Sequence, residues 1–386
     1  MRALFLTYSY LPNLGGVERS VHNLARLLGA HGHDIAVATH DLRAVPFRWS
    51  PDDQPPTLHV HVPSQTDPRP TVRAFRAVIN PLNVATLAAF CRRRGIEIVH
   101  AHHLNTDTAY ARHLARLLGL RFVLTLRGGE TEEWITTPAR RRYVVEQLAA
   151  ADAVTAVSAS LLELAAALVP AIAAHASVIP NPVDREALRD AMAPPSPTDA
   201  GGAPYVLFAG RLEPMKHVEC LLDAYAAAVA EHPALGIDLL VAGTGSLAGA
   251  LAARARAGIG AGRIRFIGRV DYASMLRLIA DARAVVLPSR CSEGCPNVIL
   301  EAIALGTPVV LSDLASHTEL VEHGVSGLLF PVGDAAHLAR HLATLAARPE
   351  RGAALAAAAA ERLGTRHDGA TIAARYGAIY AGAPRA

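Results

Sequence analysis

The chain has 386 residues, 51% of them hydrophobic and 18% charged, with a formal net charge of +3. That length exceeds one ordinary core, so two domains are expected, and the composition excludes a disordered or fibrous chain. No apolar run is free of charges and breakers for long enough to span a bilayer, and no interleaving of aromatic and basic residues supports nucleic-acid binding.

The first 16 residues combine one arginine, a short apolar run, Pro-Asn and Gly-Gly, without a small-x-small cleavage site. They are expected to form a buried first strand, not a signal peptide. Further strands are expected at 34–39, 59–62, 98–101, 122–126 and 153–157, with helices at 18–30, 82–94, 107–118 and 137–150. Continuous apolar strands separated by helices read as a parallel sheet covered on both faces. Two triple-arginine runs, 92–94 and 140–142, lie in this half. They read either as solvated helix ends or as contacts to an anionic membrane surface. Residues 191–204, rich in proline, glycine and small polar side chains, read as a linker.

The same scheme then restarts. Strands are expected at 205–209, 238–242, 263–267, 284–287, 308–311 and 327–330. Helix is expected over the alanine-rich residues 335–362 and again over 368–380. The fold class is therefore α/β, with two doubly wound domains: 1–190, then 205–365 after the linker, and a last helical segment at 366–386 that could cross back to the first domain. In such folds ligands bind at the carboxyl ends of the strands. Four cysteines, at 91, 220, 291 and 295, make no disulfide framework and fit a reduced cytoplasm. Cys291 and Cys295 have no second Cys/His cluster, so zinc is not expected.

Of 37 cationic side chains only one, Lys216, is lysine. An ammonium is a compact point charge on a flexible stem, whereas arginine is a planar fork. Lys216 follows the strand 205–209 in "GRLEPMK", with Arg211 beside it, so both cations are placed at a strand's carboxyl end. The segment "EGCPNVILE" carries Glu293 and Glu301 eight residues apart, with Pro296 at a helix start. The amides of Asn297, Val298 and Ile299 would then form an anion seat, strengthened by the helix dipole. The alternative is that Glu293 only favours the dipole and Glu301 is a solvated helix residue. Gly243 and Gly245 in "AGTGS" permit a tight turn and close backbone approach, as do Gly15 and Gly16 before the first helix. No Asp-x-Asp, Walker or Gly-x-Ser-x-Gly motif occurs.

On these residues, and on "IRFIGRV", "ELVEHGVSGLLF", "IVHAHH" and "IPNPVD", the chain resembles a family 4 glycosyltransferase of the GT-B fold, in which two Rossmann-like domains face across a cleft. The resemblance implies a retaining, metal-independent enzyme without a cofactor. It would move a hexose or N-acetylhexosamine from a nucleoside-diphosphate sugar, UDP-linked or else GDP-mannose. The acceptor would be a glycan, a lipid-linked glycan or a small metabolite, bound by the domain 1–190, while the domain 205–365 would bind the nucleotide sugar. Arg211 and Lys216 would hold the diphosphate, Glu301 the ribose, and Glu293 the donor sugar. The base would be read near Gly268, Arg269 and Val270. Gly15, Gly16, Gly243 and the amides of Asn297, Val298 and Ile299 would line the phosphate, and His102 would meet the reacting centre. His100 reads as a packed core histidine and His103 as an open case. Where relatives often carry His-Gly, this chain has "TLRGGE", so Arg127 would bind an anionic acceptor or pair with Glu130 or Glu133. Cys295 would be a small packing hydrophobe. The implied location is the bacterial cytoplasm or the inner face of the membrane. A nucleotide-sugar 2-epimerase of the same fold is the alternative activity.

Overall fold

Alternating buried strands and amphipathic helices fold here into two separate α/β units. The computed structural model describes all residues except 12–14, 41–46, 61–69, 129–134, 195–202, 259–260, 292 and 383–386; for 70–78, 106, 107, 261 and 365 it describes the backbone alone. One unit comprises Met1–Pro182 with Asp368–Ala386, the other Val183–His367.

The first unit holds eight strands: β1 (Arg2–Thr7), β2 (Asp34–His40), β3 (Phe47–Ser50), β4 (Thr57–Val60), β5 (Ile98–His102), β6 (Arg121–Leu126), β7 (Ala153–Ala156) and β8 (Ala176–Val178). Their order is β3-β4-β2-β1-β5-β6-β7-β8. Every pairing is parallel except that of β3 with β4. The helices are α1 (Gly16–Ala30), α2 (Pro70–Arg94), α3 (Thr106–Leu118), α4 (Pro138–Ala150) and α5 (Ala159–Leu168). Helix α1 buries Val21, Leu24, Ala25 and Leu28, the spacing of one helical face. Ser158 caps α5 by accepting from the Leu161 amide, and Thr137 caps α4 with Pro138 at its first position. The last helix, Gly369–Ala381, completes this unit: Ile372, Tyr376 and Tyr380 pack with Phe5, Leu24 and Val37. The arginine run 92–94 closes α2, as the dipole favours, and Arg94 pairs with Asp34 at 3.1 Å. The run 140–142 instead occupies the first turn of α4, against that preference.

The second unit runs α6 (Arg185–Ala191), β9 (Tyr205–Ala209), α7 (Val218–Glu231), β10 (Asp238–Ala242), α8 (Ala248–Ala257), β11 (Ile264–Gly268), α9 (Tyr272–Asp281), β12 (Ala284–Leu287), α10 (Asn297–Leu305), β13 (Val309–Ser312), β14 (Leu328–Phe330), α11 (Ala335–Ala347) and α12 (Pro349–Leu363). Its six parallel strands are ordered β11-β10-β9-β12-β13-β14. The boundary falls at Pro182 and Val183, earlier than the composition of 191–204 suggests. The reason is α6: Leu188 packs on Leu276 and Ala304, and the Arg185 guanidinium donates to the Ala304 carbonyl at 2.5 Å. The alanine-rich stretch is two helices, because Pro349 starts a new one. Among the described residues no helix is long and apolar enough to cross a membrane.

Strand order reverses between β1 and β5 in the first unit, and between β9 and β12 in the second. Crevices open at the carboxyl ends of strands at such points.

Candidate functional site

In the second unit the switch point brings together the two most distinctive sequence segments. The loop after β9 contains the short helical turn Pro214–Lys216; the loop after β12 contains Ser289 and Glu293. The Arg290 amide donates to the Met215 carbonyl at 3.0 Å and ties the two loops. The Lys216 ammonium donates to Glu293 Oε2, and the Ser289 hydroxyl donates to Glu293 Oε1. The Lys216 and Glu293 side chains are only 14% and 9% exposed. A mostly buried ion pair needs such extra hydrogen bonds to offset its desolvation. Behind it, the Ser312 hydroxyl donates to the Ser289 carbonyl at 2.6 Å. His317 Nδ1 lies 2.8 Å from the Ser312 carbonyl, so this nitrogen carries the proton. Burial lowers the His317 pKa, with Glu293 opposing and Lys216 adding to the shift. Its Nε2 is buried with no partner among the described residues.

Beside this pair, Pro296 is the residue before α10 rather than its first helical residue. Its carbonyl accepts from the Ile299 amide at 3.0 Å and from the Leu300 amide at 3.3 Å. Ile299 therefore does not present its N–H outward as the sequence suggested, because the first turn tightens onto the proline carbonyl. The Val298 amide has no partner among the described residues, and Asn297 opens the helix. Glu301 is not a solvated helix residue: it is 8% exposed, and the Tyr272 hydroxyl donates to it at 3.1 Å.

Among the described residues, the other expected donor residues of this unit, Arg211, Gly243 and Arg269, make no hydrogen bond to Lys216 or Glu293. Arg211 is exposed, and among the described residues its guanidinium reaches the Met215 sulfur, at 4.0 Å. Arg269 is exposed just beyond β11. At Gly243, with φ at +135°, a Cβ would strike the Gly210 carbonyl, and at Gly245 the Leu212 backbone. The close approach served by these glycines is thus to the loop after β9, which fixes the position of Arg211 and Glu213. Glu213 accepts from the Ser246 amide at 3.0 Å and from its hydroxyl at 2.5 Å; these bonds hold its carboxyl below the usual range. Cys295 is buried and unbridged, in keeping with packing. Ser289, Tyr272, His317 and Glu213 were not singled out from the sequence. Single Ser, Tyr and His residues carry no local pattern, and only the fold brings Ser289 and His317 to Glu293, Tyr272 to Glu301 and Glu213 to Ser246.

In the first unit, β5 ends at His102. The ring is fully buried against Phe5, centroids 4.4 Å apart, and against His100 at 4.1 Å. The Arg127 guanidinium donates to its Nδ1 at 3.0 Å, which leaves the proton on Nε2, buried without a partner among the described residues. Burial, then His100 and Arg127, hold the His102 pKa well below 6.5, so the ring is neutral. In this structure Phe5, His100 and Arg127 enclose the His102 ring. Arg127 is not presented to an anion. It is 6% exposed and donates to Ser20 and Asn181 at 3.0 Å each, as well as to His102. Glu130 and Glu133 lie outside the described residues. His100 is the core residue expected: its nitrogens lie 2.7 Å from the Tyr380 hydroxyl and 2.6 Å from Thr125 Oγ1. His103 is half-buried with φ at +83°, and its amide donates to the Thr125 carbonyl at 2.9 Å. Gly15 is the cap residue of α1 and Gly16 its first residue; the Glu18 carboxylate folds back over Gly15. Among the described residues no group of three His, Cys, Asp or Glu is placed to hold a metal ion.

Two α/β units, each a sheet of mainly parallel strands with a switch point, are the GT-B class of fold. Residues 14–187 match Glycosyltransferase Family 4 and residues 203–348 match Glycosyl transferases group 1; the chain belongs to these glycosyltransferases. A glycogen synthase of Mycobacterium tuberculosis is 29% identical across 100% of this chain and 95% of its own length. A phosphatidyl-myo-inositol mannosyltransferase of Mycolicibacterium smegmatis is 33% identical over 54% of this chain and 53% of its own. The crystal structure of Anabaena HepE in complex with UDP and glucose matches with a TM-score of 0.79 at 20% identity, over 98% of each chain.

Proposed function

We propose that this glycosyltransferase is retaining and metal-independent. It moves a hexose or N-acetylhexosamine from a nucleoside-diphosphate sugar to a hydroxyl of a glycan, glycolipid or small-metabolite acceptor. The observation that carries this reading is the Lys216–Glu293 pair at the switch point of the second sheet, beside the start of α10 and Glu301. A diphosphate arriving there competes with Glu293 for the ammonium. Exchange leaves Glu293 held by Ser289 through one oxygen and turns the other to the donor sugar hydroxyls. Glu301, oriented by Tyr272, takes the ribose hydroxyls. Lys216, Arg211 and the Val298 amide balance the charge that grows on the leaving diphosphate. These cations replace a divalent ion, in keeping with the lack of any Asp-x-Asp in the chain. The acceptor hydroxyl attacks on the face the diphosphate leaves, and a donor phosphate oxygen takes its proton. The protein's contribution is orientation and charge stabilisation.

UDP is favoured as the nucleotide because the structural neighbour HepE is a UDP complex; GDP-mannose is next, with a mannosyltransferase among the relatives. No observation favours the 2-epimerase alternative. A thermal-shift screen of UDP, GDP and their sugars tests the reading, since a ligand that binds only the folded protein raises Tm. A saturable rise is expected, lost in Lys216→Ala together with transfer. A Lys216→Ala protein with undiminished shift and turnover sinks it. Transfer should persist in excess EDTA, and NMR of the product should show the donor's anomeric configuration.

A further inference from the structure

Behind the Lys216–Glu293 pair, a line of buried side chains runs from the end of β13 to the Glu293 carboxylate. Ser289, Ser312 and His317 are each 0% exposed. The register of β12 with β13 ends at Leu287 and Leu311. Beyond it the Ser312 hydroxyl continues the connection by donating to the Ser289 carbonyl at 2.6 Å, and the Ser289 hydroxyl donates to Glu293 Oε1. His317, from the short helical turn Ala315–Thr318, directs its Nδ1–H at the Ser312 carbonyl, 2.8 Å away. The Ser312 hydroxyl, 3.4 Å from the same nitrogen, is left to face Ser289.

Histidine is a costly residue for this place. Its Nε2 is buried with no partner among the described residues. A buried polar atom left unpaired destabilises the fold, whereas an apolar side chain of similar size would not. The use of a polar ring here is therefore accounted for by Nδ1. The demand on this line also changes with the donor. In the free protein Glu293 has Lys216 on Oε2 and Ser289 on Oε1. Once a diphosphate takes the ammonium, Ser289 is the partner that remains of these two, and the carboxylate is held only as firmly as Ser289 is. With all three supporting side chains sealed from solvent, water does not replace a bond lost among them.

We propose that His317 is a positioning residue for sugar transfer: it fixes the Ser312 carbonyl through Nδ1, so that Ser312 and Ser289 hold Glu293 when the donor is bound. This role rests on the glycosyltransferase reading and on Glu293 facing the donor sugar.

Two substitutions separate the Nδ1 bond from the volume of the ring. In His317→Asn the side-chain amide N–H takes the place of Nδ1–H but leaves a void. In His317→Gln the volume is closer to that of histidine, but the amide nitrogen lies near the place of Nε2, out of reach of the Ser312 carbonyl. In steady-state kinetics with a nucleotide sugar that the native protein turns over, His317→Gln should lower kcat about tenfold, the size of one buried hydrogen bond. KM and the UDP thermal shift should stay near native, because UDP carries no sugar for Glu293 to orient. His317→Asn should keep most of the native kcat even where the void lowers its Tm. A packing role alone orders the two variants the other way, by volume. Ser312→Ala should match His317→Gln, and the two together should be no worse than either, since both cut the same line. Native kcat in His317→Gln overturns the role. So does a kcat in His317→Asn no better than in His317→Gln, a loss confined to KM, or additive losses in the double variant. A native protein with neither UDP shift nor transfer removes the glycosyltransferase reading and this role with it. Transfer by the native protein, and equally by His317→Gln, removes this role alone.

Discussion

At the scale of single residues, the site depends on which side chains face each other, more than on how many charges it holds. Lys216 reaches Glu293 as a point charge, with Ser289 on the other carboxylate oxygen. Lys216→Arg should therefore lower kcat/KM while Tm changes little, because a planar fork cannot replace an ammonium in that space. Steady-state kinetics with an active nucleotide sugar checks it, and native turnover in the arginine variant would count against the assigned role. A second expectation concerns pH. His100 and His102 are both fully buried and held well below 6.5, mainly by burial. The unfolded chain takes up protons near pH 6.5 that the folded chain refuses. Their stabilising effect is complete above that pH and is lost as pH falls below it toward the folded values. Each adds about 1.4 kcal/mol per pH unit to the decline. Urea unfolding across about pH 7.5 to 5.5 should show stability falling steeply on the acid side of the histidine range. A flat profile would contradict the neutral core assigned to these rings.

At the scale of elements, the loops after β9 and β10 are packed as one piece. The Leu212 amide donates to the Thr244 carbonyl at 2.9 Å, and the Leu247 amide to the Leu212 carbonyl at 3.0 Å. Gly243→Ala forces a Cβ into the Gly210 carbonyl at a φ that side chains rarely adopt, so it should lower Tm and weaken nucleotide binding together. Gly249→Ala is the matched control. It lies in α8 with nothing within 4 Å of the added Cβ, so it should hold or raise Tm by removing a flexible helix position. Equal behaviour of the two variants would remove the loop packing as the reason for the glycine. Of the arginines 140–142 at the start of α4, Arg142 pairs with Glu146 one turn on, at 3.8 Å.

At the scale of the whole molecule, much of the architecture was legible because parallel strands buried on both faces leave unbroken apolar runs. Strands β9, β10 and β12 fall on their expected residues. The elements that were missed are marginal in burial or length. Strand β3 is half exposed, β8 has three residues, and α6 is short and packs by one leucine. In the site, Lys216 and the two glutamates were legible because a lone lysine and a spaced Glu pair around a proline are unusual patterns. The enclosure of Arg127 was not legible because its partners Ser20 and Asn181 lie 107 and 54 residues away in sequence, where no local pattern records them. The last helix makes a further prediction possible. Removing residues 368–386 takes away Ile372, Tyr376 and the Tyr380 hydroxyl that bonds His100, along with the Ile379 carbonyl that accepts from Arg121 at 2.7 Å. The first unit should then melt early, whereas nucleotide should still protect the second. Calorimetry with and without UDP separates the two transitions, and a truncated protein with an unchanged first transition would refute the dependence.

That helix also sets an order of events during synthesis. The ribosome completes Val183–His367 before it makes the residues that close the first unit. The first unit, although begun earlier, waits for its final piece with the Phe5 and Tyr10 face uncovered. A nascent chain stalled near residue 367 would be the form most in need of a chaperone.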